Sequence, residues 1–131
     1  MNLLLDTHIW LWSLLDPQRL GPRTRELLED EEHELWLSPI SIWETLMLAE
    51  RGRLALTPDP ERWLRAQLAA APLTEAPLTA EVAIESHRVV LAHRDPADRF
   101  LAATARVYDL ALVTADARLT RIEGVSVVGN E

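Results

Sequence analysis

The 131-residue sequence contains no cysteine and no lysine; all 13 of its basic residues are arginine. Without cysteine there is no disulfide framework, no thiol nucleophile and no thiolate-ligated zinc. Without lysine there is no P-loop lysine, no kinase strand lysine and no Schiff-base chemistry. Long apolar runs are missing too. None approaches the ~20 residues that a bilayer crossing requires, so no membrane partner is expected. The opening MNLLLD lacks the basic stretch and cleavage pattern of a signal peptide, and a cytoplasmic location is the expectation. A net charge of -8, spread along the chain, argues against a bare nucleic-acid binder. It leaves open an enzyme that meets phosphate through a metal ion.

What is present is an ordinary globular balance, with 48% hydrophobic and 26% charged residues. The length predicts one domain, residues 1–131, with a modest core. Leu3-Leu4-Leu5 is apolar on both faces and stops at Asp6, as a central parallel strand does. A helix follows and ends at Asp16-Pro17. A charged helix runs from Pro22 to about Glu32, and Leu35-Trp36-Leu37 is a second short strand. Ser38-Pro39 then opens a helix to about Arg51-Gly52, with Ser38 as cap. Asp59-Pro60 starts another, which fades by Pro72. Thr74 to Leu78 reads as a short strand, Thr79 to Leu91 as a helix, and Asp95-Pro96 opens a helix to about Tyr108. Ala111 to Thr114 and Val125 to Val128 are the last strands. Alternating helices and short apolar strands predict an α/β fold with a parallel sheet.

In such a sheet, ligands bind beyond the carboxyl ends of the strands. Asp6 ends the first strand, and Asp116 lies two residues beyond Ala111–Thr114, so both belong on that edge. Asp98 is the third residue of the helix capped by Asp95. It is open to two readings: a carboxylate on the helix dipole, or a ligand at the same edge. Glu44 has Ile40, Ser41, Met47 and Leu48 as its helical neighbours. A carboxylate on that mostly apolar stripe is costly unless it pairs with an Arg, reaches solvent at the stripe's edge or binds a cation. Four carboxylates in one pocket would repel, and a hard divalent cation relieves that repulsion. Oxygen-only donors favour Mg²⁺ or Mn²⁺ over zinc, and such a site suits phosphodiester hydrolysis.

Four blocks carry a family resemblance: Leu3-Leu4-Leu5-Asp6-Thr7-His8, Ser38-Pro39-Ile40-Ser41-Ile42-Trp43-Glu44, Asp95-Pro96-Ala97-Asp98-Arg99 and Leu112-Val113-Thr114-Ala115-Asp116. In order and spacing the chain, from Asn2 to about Val128, resembles the PIN domain and, more narrowly, the VapC-type toxins of toxin–antitoxin pairs. The resemblance implies a three-layer α/β/α sandwich and a Mg²⁺- or Mn²⁺-dependent endoribonuclease. It implies that Asp6, Glu44, Asp98 and Asp116 hold the metal, with water as nucleophile. Thr114, and with it Thr7, match supporting hydroxyl positions. Asp95 is implied as a cap or supporting residue, and Arg99 as a charge balance or phosphate contact. A homodimer and a cognate antitoxin are implied as well.

Other residues carry less. His8, His33, His87 and His93 show no metal-ligand spacing, although His8 lies beside Asp6. Trp10, Trp12, Trp36, Trp43 and Trp63 are each able to stack a base but read first as core or interface residues, with Trp43, next to Glu44, the one to test as a substrate contact. Arg51, Arg53, Arg94, Arg118 and Arg121 read mainly as solvated charges, each able to meet RNA phosphate. Two rival functions remain: a PIN-like module that binds RNA or protein without cutting, and a phosphatase of the haloacid dehalogenase type. The latter class needs a second Asp two residues after its nucleophile, where this chain has His8.

Overall fold

The computed structural model describes residues 1–91 and 94–131; His93 lies outside them. Five strands form one sheet: β1 (Asn2–Leu5), β2 (Glu34–Leu37), β3 (Thr74–Glu75), β4 (Ala111–Thr114) and β5 (Val127–Gly129). All pairings are parallel and the order is β3-β2-β1-β4-β5. Six α-helices connect them: α1 (Thr7–Leu15), α2 (Pro22–Glu29), α3 (Pro39–Glu50), α4 (Pro60–Ala70), α5 (Ala80–Arg88) and α6 (Pro96–Val107).

Alternation along the central strands sets the layers. Leu3 and Leu5 of β1 and Ala111 and Val113 of β4 face one side, where they pack with Ile9, Trp10 and Leu11 of α1 and Leu64 of α4. Leu4 and Leu112 face the other side, against Val82 of α5 and Leu101, Ala102 and Ala105 of α6. Helix α3 gives Ile40 to the second cluster and Ile42 and Leu48 to the first, so it serves both layers. Both faces of β1 and β4 are covered, and this is why their sequences are continuously apolar. Each fully buried leucine there contributes about 1.5–3 kcal/mol. The arrangement is the expected three-layer α/β/α sandwich.

The helix starts follow from the local sequence. Ser38, Asp59, Thr79 and Asp95 each accept a backbone N–H of the following turn, and Pro occupies the first position after Ser38, Asp59 and Asp95. Four boundaries differ from expectation, the first being β3, which ends at Glu75 rather than Leu78. Helix α2 stops at Glu29, because Asp30 turns the chain by accepting the Glu32 N–H. Helix α5 stops at Arg88 rather than Leu91. β5 starts at Val127 rather than Val125, because Val125 closes a turn on the Ile122 carbonyl.

In this strand order the chain winds from β1 outward to β2 and β3 on one side, then crosses to β4 and β5 on the other. That switch opens a crevice beyond the carboxyl ends of the two strands, and the chain leaves both ends with an aspartate nearby. Among the described residues, no helix is long and apolar enough to cross a membrane.

Candidate active site

Asp6 follows β1 directly. Its N–H continues the ladder to the Val113 carbonyl at 2.9 Å, and its side chain caps α1 by accepting the Thr7 N–H at 2.7 Å. The other carboxylate oxygen accepts the Thr114 hydroxyl at 2.6 Å. Only 7% of the residue is exposed. Burial pushes this carboxyl above the usual aspartate range, and the Thr114 hydroxyl is the largest influence opposing the shift.

Thr114 also accepts the Asp116 N–H, at 3.0 Å. One buried hydroxyl at the end of β4 thus ties the loop carrying Asp116 to the Asp6 carboxylate. Asp116 caps a short 3₁₀ turn by accepting the Arg118 N–H at 2.9 Å. The Arg118 guanidinium folds back on the same carboxylate, with Nη2 at 2.8 Å and Nε at 3.1 Å from its two oxygens. The same guanidinium lies 3.9 Å from Asp98.

Glu44 sits in the second turn of α3. The Thr7 hydroxyl donates to its Oε1 at 2.6 Å and lies 2.8 Å from the Ser41 hydroxyl. A hydroxyl has one proton, so Thr7 gives it to the carboxylate and Ser41 is placed to donate in turn. Partial burial pushes the Glu44 carboxyl up to about 7; the Thr7 bond opposes the shift, and repulsion from Asp6, Asp95 and Asp98 adds to it.

At the start of α6 the two aspartates divide their roles. Asp95 takes the cap, accepting the Ala97 N–H at 3.0 Å. Asp98, buried to 6% exposure, faces the same crevice.

The structure brings Asp6, Glu44, Asp95, Asp98 and Asp116 together on the wall of one cavity of about 380 Å³, with His8, Trp12, Arg19, Ala115 and Arg118 completing the lining. Thr7 and Thr114 stand behind it as hydroxyl donors. Arg99 is not in this set. Its guanidinium reaches the carbonyls of Ser86 at 3.1 Å and Val89 at 2.9 Å, at the end of α5. Carbonyls left open by a finished helix attract a cation, so the implied role of Arg99 at the site gives way to a structural one. Trp43 also lies elsewhere. It is 49% exposed and lines an apolar cavity of about 520 Å³ with Ile42, Leu46 and Leu68. Successive helix residues diverge by about 100°, so being next to Glu44 in sequence places Trp43 on another face. Sequence reasoning passed over Arg19, read Trp12 first as a core or interface residue, and placed Arg118 among charges that are mainly solvated but able to meet phosphate. None of the three carries a local signal, because their orientation depends on how α1 and the turn after β4 pack.

The donor set fits a hard divalent cation. It is all oxygen and strongly anionic, and burial already holds two of its carboxyls above their ordinary range. The acids line a wall rather than closing a cage: among the described residues, no three acidic or imidazole side chains form a ready-made metal cluster. Mg²⁺ commonly keeps several waters and takes only one or two carboxylates directly, so an open acidic wall suits it.

A parallel sheet with an acid-lined crevice at its switch point defines an α/β protein with an anionic, metal-compatible ligand site. The family model of the PIN domain matches residues 3–125. Ribonuclease VapC22 of Mycobacterium tuberculosis is 36% identical over 119 residues, which cover 90% of this chain and 89% of that protein. The chain belongs to the PIN domain family. Solved structures agree on the fold. VapBC2 of Rickettsia felis, bound to a promoter DNA fragment, superposes with a TM-score of 0.73 at 15% identity, covering all of both chains. FitAcB of Neisseria gonorrhoeae gives 0.65 at 24% identity, covering 98% of this chain and 97% of its own.

Proposed function

We propose that this chain is a metal-dependent endoribonuclease and the toxin of a toxin–antitoxin pair. The convergence of Asp6, Glu44, Asp98 and Asp116 on one cavity at the β1/β4 switch point carries this reading. The likeness to a ribonuclease over nine-tenths of the chain supports it. These four acids would hold Mg²⁺ or Mn²⁺, with Asp95 beside them. A divalent ion bound there supplies Lewis-acid polarisation of a phosphoryl oxygen and a water of lowered pKa.

The chain's own residues do the rest. Thr114 and the Thr7 N–H fix both oxygens of Asp6, so this carboxylate is oriented before any ligand arrives. Thr7, backed by the Ser41 hydroxyl, holds Glu44, so this carboxylate too is oriented before any ligand arrives. Arg118 reaches both Asp116 and Asp98 and is placed to meet phosphate.

The complexes among the structural neighbours support an antitoxin partner for this chain; a homodimer, a cytoplasmic location and a single domain over residues 1–131 complete the proposal. The test is cleavage of a labelled structured RNA pool in Mg²⁺, Mn²⁺ or EDTA. Cutting in either metal and none in EDTA is the expected result. RNA binding without cutting in either metal would favour a non-catalytic module instead.

A further inference from the structure

Helix α2 is preceded by Gly21, which offers its first turn no side chain. The residues that follow β5 serve instead. The main-chain oxygen of Glu131 accepts the Arg23 N–H at 2.8 Å and the Thr24 N–H at 3.1 Å, and the Glu131 N–H donates to the Thr24 hydroxyl at 3.0 Å. A Cβ on Gly21 would overlap the main chain of Glu131, so only glycine admits this approach. Asn130 grips the other side of the same turn with both ends of its amide. Oδ1 accepts the Gly21 N–H at 2.7 Å, and Nδ2 donates to the Arg19 carbonyl at 2.9 Å. Between those two bonds, Leu20 is buried in the core cluster of Leu5 and Trp10. Arg19 ends the three-residue 3₁₀ turn Pro17–Arg19. Its guanidinium lies 4.5 Å from the centre of the Trp12 ring, and both residues line the acidic crevice.

We propose that Asn130 is a positioning residue for the acidic site: through the Arg19 carbonyl it fixes the turn that holds the Arg19 guanidinium at the crevice wall. The role of that guanidinium rests on the ribonuclease reading. Arg19 is exposed, and a long exposed side chain on a three-residue turn has many conformations to lose when an anion binds. Stacking on Trp12 holds its tip, and Asn130 holds its root. A cation fixed there offsets, for an anionic substrate, the repulsion of the five acids on the same wall. Ordered in advance, it costs the substrate less to engage. Asn130 lies 109 residues from Gly21 in sequence and touches the crevice nowhere, so the last strand of the sheet tunes the site from behind.

The test compares Asn130→Ala, Asn130→Asp and Thr24→Val in full-length protein labelled with 5-fluorotryptophan, the Trp12 fluorine resonance being assigned by Trp12→Phe. Aspartate keeps the acceptor for the Gly21 N–H and loses the donor to Arg19. Thr24→Val loosens only the Glu131 contact. Both Asn130 variants are expected to move the Trp12 resonance in the direction that Arg19→Gln moves it. Thr24→Val is expected to lower Tm and leave that resonance in place. In cleavage of the best-cut RNA of the pool, Asn130→Ala is expected to raise KM about 2- to 10-fold while kcat holds. In an Arg19→Gln background the same change should leave KM as it is, because the two residues act as one unit. A Trp12 resonance that ignores Asn130→Ala, or follows Thr24→Val equally, would overturn the proposal and leave the contact as a helix cap alone. An equal rise in KM with and without Arg19 would overturn it too. Wild-type protein that cuts no RNA in either metal is instead a failure of the ribonuclease reading, and the Trp12 resonance then still decides whether Asn130 sets the Arg19 turn.

Discussion

Replacing Glu44 with Gln should stabilise the metal-free protein at high pH and not at low pH. The Glu44 carboxyl titrates near 7 in the folded chain against 4.5 for a free glutamate. The folded state therefore holds a proton that the unfolded state has already released between those values. Stability from this group is fully present below pH 4.5 and is lost as pH rises through about 7. The full gap corresponds to at most about 3 kcal/mol, and solvent screening at this partly exposed side chain reduces it to about 1–2 kcal/mol. In a chain of this size that is about 5 °C in Tm. Gln keeps an acceptor for the Thr7 hydroxyl but carries no charge. Melting both proteins in EDTA from pH 4.5 to 8 should show coincident curves at the acid end and the variant about 5 °C higher at pH 8. Adding Mn²⁺ at pH 8 should reverse the order: occupancy at one hundred times Kd stabilises by about 2.7 kcal/mol, and the wild-type carboxylate profits more. A difference between the two proteins that does not change with pH would refute the reasoning.

Two further predictions concern the frame around the site. Thr114→Val preserves shape but removes the hydroxyl bonded to both Asp6 and the Asp116 N–H. It should cost about 2–4 kcal/mol of stability by chemical denaturation and lower RNA cleavage; an unchanged midpoint would show that the bonds contribute nothing. Asp109 ends α6 at φ 53, in the left-handed region that suits glycine, with the next N–H closing on the Ala105 carbonyl. Asp109→Gly should therefore raise stability by about 0.5–1 kcal/mol, and a lower Tm would contradict this.

Much of the fold was legible because its signals are local. The Pro-marked caps at Ser38, Asp59 and Asp95 and the doubly apolar runs of β1 and β4 each follow from a few adjacent residues. The direction of the acids was legible for the same reason: a strand end fixes where its next residue emerges. What escaped depends on tertiary packing. Whether Glu44 finds an Arg, water or a hydroxyl is decided by Thr7, 37 residues away. Arg99 turns from the crevice because α5 ends beside it with open carbonyls. Trp12 rather than Trp43 reaches the acidic wall because α1 lies along the crevice, and no single helix pattern shows which neighbour it will meet.

On the proposed function, the acids of the β1/β4 crevice perform metal-dependent RNA hydrolysis. Its most direct test is RNA cleavage in Mn²⁺ by wild-type protein and by Asp6→Asn, side by side. Asn keeps an oxygen for the Thr7 N–H and so retains the α1 cap, and a melting curve on the same samples verifies the fold. Metal-dependent cutting by the wild type and a loss of about 100-fold or more in the folded variant are expected. Equal cutting by the two proteins would contradict the proposed function.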